Sequence, residues 1–413
     1  MRLVMGAQNC GFGPAAELVA VSRALPDHHR TFVGDGVAAE FALRNPDAFD
    51  ELRVPPPARR ELHHLLRDCD RVVSVMDADL VLRAALADRP VILVDSLFSF
   101  WRTDRPLADI RRLCASLPRT GFAAADRHLA ELSPHERVLA AHLLATHSVV
   151  QNFPGVRQRI AEFAALGIGR VPRTSGALID HDGLRATGRT EPSRSPAAYD
   201  LLVNLGGFRN FLLDFDAHND YLLLIERWLP DLLRDWPRFH KVLVCGGPFG
   251  GHRARTVELA GRQADCRLVP QRELLQHVAV TPHHLMTPGL TALHEALALG
   301  RLPLCLPEQH YAHLFTVRRL GQTLFGKTAL SLTDLLPDHP VPDDDFTGTA
   351  ALVEMAGRIR RDDTHYSRFR RRLNERIEQY LDLSPTQHLY AVDELRTALD
   401  GPPLSEVLAE VLR

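Results

Sequence analysis

Short apolar runs alternate along this chain with segments of helical periodicity. Helical patterns in the first half include residues 15–24, 59–67 and 80–87. Runs rich in Val and Leu indicate strands buried on both faces, and their alternation with helices predicts parallel sheets covered by helices. The predicted strands of the first half are residues 3–7, 31–33, 72–76, 91–94, 122–124 and 149–151.

The alternation lapses into polar residues and proline between residues 179 and 199 and then restarts. We therefore expect an N-terminal Rossmann-like domain over residues 1–178, a linker over 179–199 and a second Rossmann-like domain over 200–382. The segment 383–413 is helical and either packs back on the first domain or forms a simple terminal helix. The predicted strands of the second domain are residues 201–205, 242–245, 267–269, 285–287 and 302–306, and a charged helix covers 350–381.

Composition and charge narrow the function classes. The chain has 413 residues, of which 45% are hydrophobic and 24% charged, which fits two α/β domains. A formal net charge of −2 disfavours a nucleic-acid partner. The six cysteines lack paired spacing, so neither zinc nor disulfides are expected. The absence of any apolar run of about 18 residues predicts no membrane span and a cytoplasmic protein; a homodimer stays open.

The strongest functional signal is the segment 285–307, which predicts a strand, a Thr287-Pro288-Gly289 turn, a helix from Leu290 and a short buried strand. A helix that begins after a glycine turn offers unpaired N–H groups and a positive dipole end. Both suit a diphosphate, and no metal ion is then required.

Three further features accompany that turn. Gly206 and Gly207, and likewise Gly246, follow buried strands directly, as in phosphate-binding turns or in ordinary turns of a doubly wound sheet. Arg209 either neutralises the diphosphate or is a solvated surface residue. Glu295 stands six residues after Gly289, where its carboxylate reaches the hydroxyls of a ribose or is simply exposed.

This block resembles the donor-binding motif of GT-B glycosyltransferases, most closely the family of the peptidoglycan UDP-GlcNAc transferase. The resemblance implies an α/β GT-B fold, with two doubly wound domains facing across a cleft, and a UDP-sugar donor without a further cofactor. It implies ribose binding for Glu295 and phosphate contact for Thr291, although Ala292 occupies the family's usual position. The remaining residues that it nominates for uracil, phosphate or sugar are Val269, Pro270, Pro288, Gly289, Leu290, Glu308, Gln309 and His310. His313 either joins them or is a helix-surface residue.

The acceptor side is expected in the first domain. Gly11, Phe12 and Gly13 follow the first strand, where GT-B enzymes carry a glycine-rich loop, but no histidine of that loop is present. An inverting transfer needs a base near the carboxyl ends of the strands. Asp95 and Asp77 end predicted strands and are the candidates.

Two details of that side remain alternatives. Phe98 and Trp101 after Asp95 either stack a planar acceptor or belong to the core. Glu17 is a further candidate base. Asp77 and Asp79 form an Asp-x-Asp pattern, for which a helix cap by Asp79 is favoured over a metal site.

The run 11–13, the run 151–155 and the Thr-Pro-Gly turn are similar to those of the cytosylglucuronate synthases of nucleoside-antibiotic biosynthesis. That resemblance implies transfer of glucuronate from UDP-glucuronic acid to N1 of cytosine. The donor carboxylate then needs a cation, and Arg318 or Arg319 is nominated.

We therefore predict an inverting glycosyltransferase that moves a sugar from a UDP-sugar to a small acceptor. The alternatives are a UDP-sugar 2-epimerase of the same fold and a non-catalytic nucleotide-sugar binding protein.

Overall fold

The computed structural model describes residues 1–167, 169–189, 198–206, 215–246 and 254–413. The chain divides into two units. The first comprises Met1–Asp180 and Ala398–Arg413, and the second comprises His181–Thr397. Each unit contains one sheet whose parallel strands are connected through helices. The predicted α/β class with two Rossmann-like, doubly wound units is confirmed.

The first unit is built on a seven-stranded parallel sheet with the order β3-β2-β1-β4-β5-β6-β7. The chain winds outward from β1 to β3 and then returns to the other side of β1 with β4. Its strands are β1 Arg2–Ala7, β2 His29–Val33, β3 Glu51–Arg53, β4 Arg71–Val75, β5 Val91–Asp95, β6 His147–Gln151 and β7 Arg173–Ser175. Its helices are α1 Phe12–Arg23, α2 Gly36–Arg44, α3 Arg59–Asp68, α4 Ala78–Leu86, α5 Leu107–Ala115, α6 Phe122–His128, α7 Pro134–Leu144 and α8 Val156–Ala164.

The second unit contains a six-stranded sheet with the order β10-β11-β9-β8-β12-β13, in which β10 is an antiparallel edge strand. Its strands are β8 Leu201–Asn204, β9 Lys241–Cys245, β10 Arg255–Leu259, β11 Arg262–Arg267, β12 His283–Met286 and β13 Leu304–Cys305. Its helices are α9 His181–Arg189, α10 Phe215–Asp235, α11 Gln271–Val280, α12 Leu290–Ala298, α13 Tyr311–Arg319, α14 Leu324–Thr328, α15 Leu332–Leu335, α16 Asp345–Arg361, α17 Asp363–Leu381 and α18 Pro385–Leu399.

The central strands are continuously apolar because both of their faces are covered. All five residues of β5 are buried, as are the last four of β4. In the second sheet all four residues of β8 are buried. Polar residues at the carboxyl ends of these strands are therefore exceptions to the apolar pattern of each sheet. Ligands bind at the carboxyl ends of the strands in doubly wound folds.

Several predicted elements are wrong. Residues 122–124 belong to helix α6 rather than to a strand, because three alanines after a glycine favour a helix. The strand predicted at 267–269 ends earlier, at Arg267. The charged helix over 350–381 is two helices, since Asp362 ends α16 and caps α17. The predicted linker also contains helix α9.

The end of the chain belongs to the first unit. The last helix, α19 Leu404–Leu412, packs beside β7. Arg71 donates hydrogen bonds to the backbone oxygens of Val411 and Leu412, and Gly176 N–H donates to Pro402 O over 2.7 Å. These contacts connect the carboxyl end to β4 and to the edge strand β7 of the first sheet.

Candidate functional site

The second sheet reverses its winding between β8 and β12, and their carboxyl ends form a crevice of the kind that binds ligands. Gly246, after β9, has a φ of 95°, and a Cβ atom there would lie 2.1 Å from Gly206 O. Only glycine allows this approach. A Cβ on Gly206 would lie 3.8 Å from Thr287 Oγ1, so that hydroxyl faces the same space. Gly207 and Arg209 lie outside the described residues.

Helix α12 begins in this crevice without a side-chain hydrogen bond from its N-cap residue. Gly289 is its N-cap residue, and the Gly289 N–H donates to Thr287 O over 2.7 Å. Pro288 is buried in the turn, and Leu290 and Thr291 open the helix, whose first turn has no acidic residue. An uncapped helix start combines N–H groups that have no intrahelical partner with a positive dipole end. It therefore fits a phosphate group.

Glu295 is buried on α12 and contacts the start of the neighbouring helix α11. Gln271 Nε2 donates to Glu295 Oε1 over 2.7 Å. Gln271 is itself buried, and its Oε1 has no hydrogen-bond partner within the described part of the chain. Val269 and Pro270 directly precede it. The alternative of an exposed Glu295 is wrong, and Gln271 is a site residue that the sequence analysis missed.

Glu308 and Gln309 follow β13 but have different surroundings. Glu308 accepts from Ser331 Oγ at 2.6 Å and from Leu332 N–H, and burial raises its pKa. Its carboxylate binds the amino end of α15, whose N-cap residue is Ser331, so its nomination for sugar binding is not supported. Gln309 is 4% exposed, and its Nε2 donates to Leu205 O at the end of β8. Its Oε1 has no partner among the residues described.

Two histidines lie beside the start of α12. A Cβ on Gly289 would lie 3.6 Å from His313 Nε2, and Gln309 N–H donates to His313 Nδ1 over 3.4 Å. The rings of His310 and His313 lie 3.7 Å apart between centroids. Burial, together with the neighbouring His310, holds the pKa of His313 well below its usual value. His313 is therefore not a helix-surface residue.

The nominated cations lie at the far end of α13. Arg318 and Arg319 are exposed in its last turn, while His310 precedes its first turn. Arg318 is eight positions after His310, which corresponds to a rise of roughly 12 Å along the helix axis. Arg318 faces Asp343 at 3.8 Å, and Arg319 lies over the Phe315 ring. Neither position supports contact with a donor carboxylate at the α12 start.

The first sheet reverses its winding between β1 and β4, and Asp77 follows β4 there. Asp77 is half-buried and accepts from Leu80 N–H over 3.0 Å, so it caps α4. The prediction that Asp79 is the cap is wrong; Asp79 is exposed and faces Arg137. Met76 has a φ of 55°, a backbone strain that is common at functional sites. Burial raises the pKa of Asp77 to about 6.

The glycine loop, residues 11–13, follows the carboxyl end of β1, next to β4. Gly11 is the N-cap residue of α1, and Phe12 and Gly13 form its first turn without a side-chain cap. Phe12 packs on Phe41 with 5.3 Å between ring centroids. Glu17 lies deeper in α1 and is only 2% exposed. Its burial does not support a role as base. The residues of the glycine loop lie at the switch point, the place between β1 and β4 where the sheet reverses its winding.

Asp95 is a core residue. Its side chain is fully buried, and it accepts from Trp101 Nε1 at 2.6 Å and from Leu97 N–H at 2.7 Å. His142 Nε2 lies 2.8 Å from the same carboxylate. Phe98 is buried and packs on the His142 ring. Phe98 and Trp101 are therefore core, and both oxygens of Asp95 are occupied, which contradicts their assignment to the acceptor and the base.

Among the described residues, no group of three or more His, Cys, Asp and Glu side chains is arranged to hold a metal ion. Within the same residues, no helix has both the length and the apolar character needed to cross a membrane.

Comparison with known proteins gives weak similarities. No family model matches the chain, and no curated protein does. Solved structures that align over the chain include the glycosyltransferase SnogD from Streptomyces nogalater, with 15% identity, 100% of this chain and 99% of that chain covered and a TM-score of 0.47. Phytolacca americana UGT2 with UDP-2fluoro-glucose and pterostilbene has 14% identity, full coverage of both chains and a TM-score of 0.46.

Proposed function

We propose that this protein is a metal-independent, inverting glycosyltransferase of the GT-B class that transfers a sugar from a UDP-sugar to a small acceptor. The observation that carries the proposal is the order of groups around the start of α12. Along the carboxyl edge of the sheet, Gln271, which pairs with Glu295, follows β11 on one side of β12; the uncapped helix start follows β12, and Gln309 follows β13 on the other side. A ribose, a diphosphate and a sugar follow each other in the same order.

The donor is held by groups that suit each of its parts. Glu295 lies about one and a half turns, roughly 9 Å, along α12 from Gly289, so its carboxylate accepts from ribose hydroxyls while the phosphates bind the helix start. The unpartnered Gln271 Oε1 accepts a second ribose hydroxyl. Gln309 Oε1 accepts from a hydroxyl of the sugar.

The leaving group is stabilised by the helix dipole and by N–H groups. As UDP departs, negative charge develops on its distal phosphate, and donors already oriented toward that charge lower the barrier without reorganisation. The absence of an acidic side chain from the first turn of α12 favours this role.

The acceptor and the base belong to the first unit. Asp77 is the carboxylate at its switch point, and a pKa of about 6 leaves it ionised at neutral pH while close to the value best suited to proton transfer. The acceptor oxygen or nitrogen attacks the anomeric carbon, the bond from that carbon to the diphosphate oxygen breaks, and the acceptor proton moves to Asp77. UDP and the inverted glycoside are the products.

A finer proposal is glucuronate as the sugar and N1 of cytosine as the acceptor. It rests on the short motifs at residues 11–13, 151–155 and 287–289. The positions of Arg318 and Arg319 do not support it, so a donor carboxylate needs a different cation.

The experiment is a panel of UDP-sugars tested by calorimetry, followed by UDP-release assays with cytosine and other small acceptors in EDTA. We expect UDP release that depends on both a sugar donor and an acceptor and that persists without divalent ions. Release or epimerised sugar without acceptor indicates a 2-epimerase, and tight binding without turnover indicates a binding protein. Failure to bind any UDP compound removes the proposal.

A further inference from the structure

The His313 side chain lies beside the start of α12. It lies in the first turn of α13, a separate element from the glycine turn of α12. Its ring is nevertheless buried against that turn, with Nε2 3.6 Å from the position of a Cβ on Gly289. The imidazole is therefore a side chain supplied by one helix to the uncapped end of another.

The hydrogen bonds of the ring decide which nitrogen carries the proton. Gln309 N–H donates to Nδ1, so Nδ1 must offer its lone pair. A neutral imidazole then carries its proton on Nε2. Burial and the adjacent His310 both disfavour the imidazolium. Nε2–H is thus a neutral donor, and Nε2 has no hydrogen-bond partner among the described residues.

We propose that His313 Nε2–H donates a hydrogen bond to the distal phosphate of a nucleoside diphosphate bound at the start of α12. The inference rests on the proposed function and adds a residue to it. The distal phosphate is selected because His313 is linked through its Nδ1 to Gln309, on the sugar side of the helix start, whereas Glu295 and Gln271 lie on the ribose side.

A neutral donor suits this position physically. When the bond between the sugar and the distal phosphate breaks, a hydrogen-bond donor already oriented toward that phosphate stabilises the developing negative charge. A permanent cation buried beside the helix would instead destabilise the empty enzyme, because burial removes its hydration. The stacked His310 ring, at 3.7 Å, keeps the His313 ring in one orientation.

The test compares UDP with UMP by calorimetry on the full-length protein. His313→Phe keeps a flat ring and removes the donor. We expect UDP affinity to fall roughly tenfold or more, the value of one hydrogen bond to a charged group, with UMP affinity unchanged. His313→Gln restores a neutral donor and should recover part of the loss. His388→Phe, a half-buried histidine whose ring packs on Tyr380, is the matched control and should bind both nucleotides as the wild type does.

The outcomes separate the two proposals. Unchanged UDP affinity in His313→Phe, or equal losses for UDP and UMP, overturns the assignment of His313 to the distal phosphate. A wild-type protein that binds no UDP contradicts the proposed function instead. If the Phe variant does not fold, nitrogen-15 NMR of wild-type histidines answers the question. The signal absent from His313→Gln should be an Nε2–H tautomer that shifts with UDP and not with UMP, and a protonated Nδ1 or an insensitive signal overturns the inference.

Discussion

The two sheets wind in the same way, but their switch points carry opposite chemistry. In the second unit the crevice between β8 and β12 contains an uncapped helix start, a neutral histidine and the amide of Gln309. In the first unit the corresponding crevice between β1 and β4 contains Asp77, whose pKa is raised to about 6. Doubly wound topology provides each sheet with a binding position. The side chains make the position in the second unit suitable for binding an anion and the position in the first unit suitable for accepting a proton.

A second contrast lies within the first sheet, where Asp77 and Asp95 end neighbouring strands. Asp95 has both oxygens occupied by Trp101, Leu97 and His142 and no exposed surface. Asp77 uses one oxygen for the helix cap and is partly exposed. Both aspartates stand at a strand end, so that position does not identify a base. The exposure of the carboxylate and an oxygen left available to accept a proton distinguish the candidate base from the core residue.

The largest expected effect is on turnover. Asp77→Asn keeps a side chain that caps helices well but cannot take a proton. We expect kcat to fall by roughly 10²- to 10⁴-fold, with UDP affinity unchanged because the proposed donor site is in the second unit. Acceptor-dependent UDP release measures the first quantity and calorimetry the second. Asp79→Asn, which alters the exposed neighbour, is the control; wild-type kcat in Asp77→Asn would remove Asp77 as the base.

The next effect is on stability. Asp95→Asn weakens a fully buried network of Trp101 and His142, and we expect the free energy of unfolding to fall by about 2 kcal/mol. Chemical denaturation followed by tryptophan fluorescence measures it. Turnover per folded molecule should stay near the wild-type value. Asp104→Asn on the exposed part of the same loop should leave stability unchanged. A folded Asp95→Asn protein without activity would contradict the distinction between the two aspartates.

Glu295→Ala tests the ribose end of the donor site. Loss of a buried carboxylate that accepts from ribose hydroxyls should weaken UDP binding by roughly 1 to 3 kcal/mol. Calorimetry with UDP and with uridine should give similar losses, because both ligands contain the ribose. Glu354→Ala, at an exposed position of α16, is the control. Unchanged UDP affinity in Glu295→Ala would contradict the position of the ribose.

The smallest effect is a pH dependence of stability. The folded pKa of Asp77 is about 6, above its ordinary value of 3.8, so the folded state binds the proton more tightly than the unfolded chain does. That stabilisation is complete below pH 4 and is lost as the pH rises through 6. Asp77→Asn should therefore match the wild type near pH 4 and exceed it at pH 8 by about 1 kcal/mol, because partial exposure screens the charge. Denaturation at the two pH values measures the difference, and an equal difference at both would show that Asp77 is not desolvated.

The elements of the proposed donor segment could largely be predicted because they are contiguous in sequence. The Thr-Pro-Gly turn, the helix from Leu290 and the burial of strands on both sides follow from local pattern. The ribose candidate Glu295 follows from helical spacing alone. Gln271 was missed, and the two alternatives for His313 stayed open, since each residue reaches the start or the side of α12 from another helix through a contact far away in sequence.

The acceptor side was predicted less well for a related reason. A carboxylate and aromatic residues after a strand have the same local pattern whether they face a ligand or the core. Only packing shows that Trp101 donates to Asp95 inside the first unit, while Asp77 stays partly exposed. Similarly, the local sequence pattern does not reveal that the Glu308 carboxylate accepts a hydrogen bond from Ser331 at the amino end of α15.

The sequence by itself determined two doubly wound α/β units and a helix start without a cap, because apolar periodicity and turn chemistry act over a few neighbouring residues. Tertiary structure alone decided which polar side chains reach that helix start and which carboxyl groups have a raised pKa. Both depend on burial and on partners brought from distant elements, and the free energy of a buried polar group is set by those partners rather than by its neighbours along the chain.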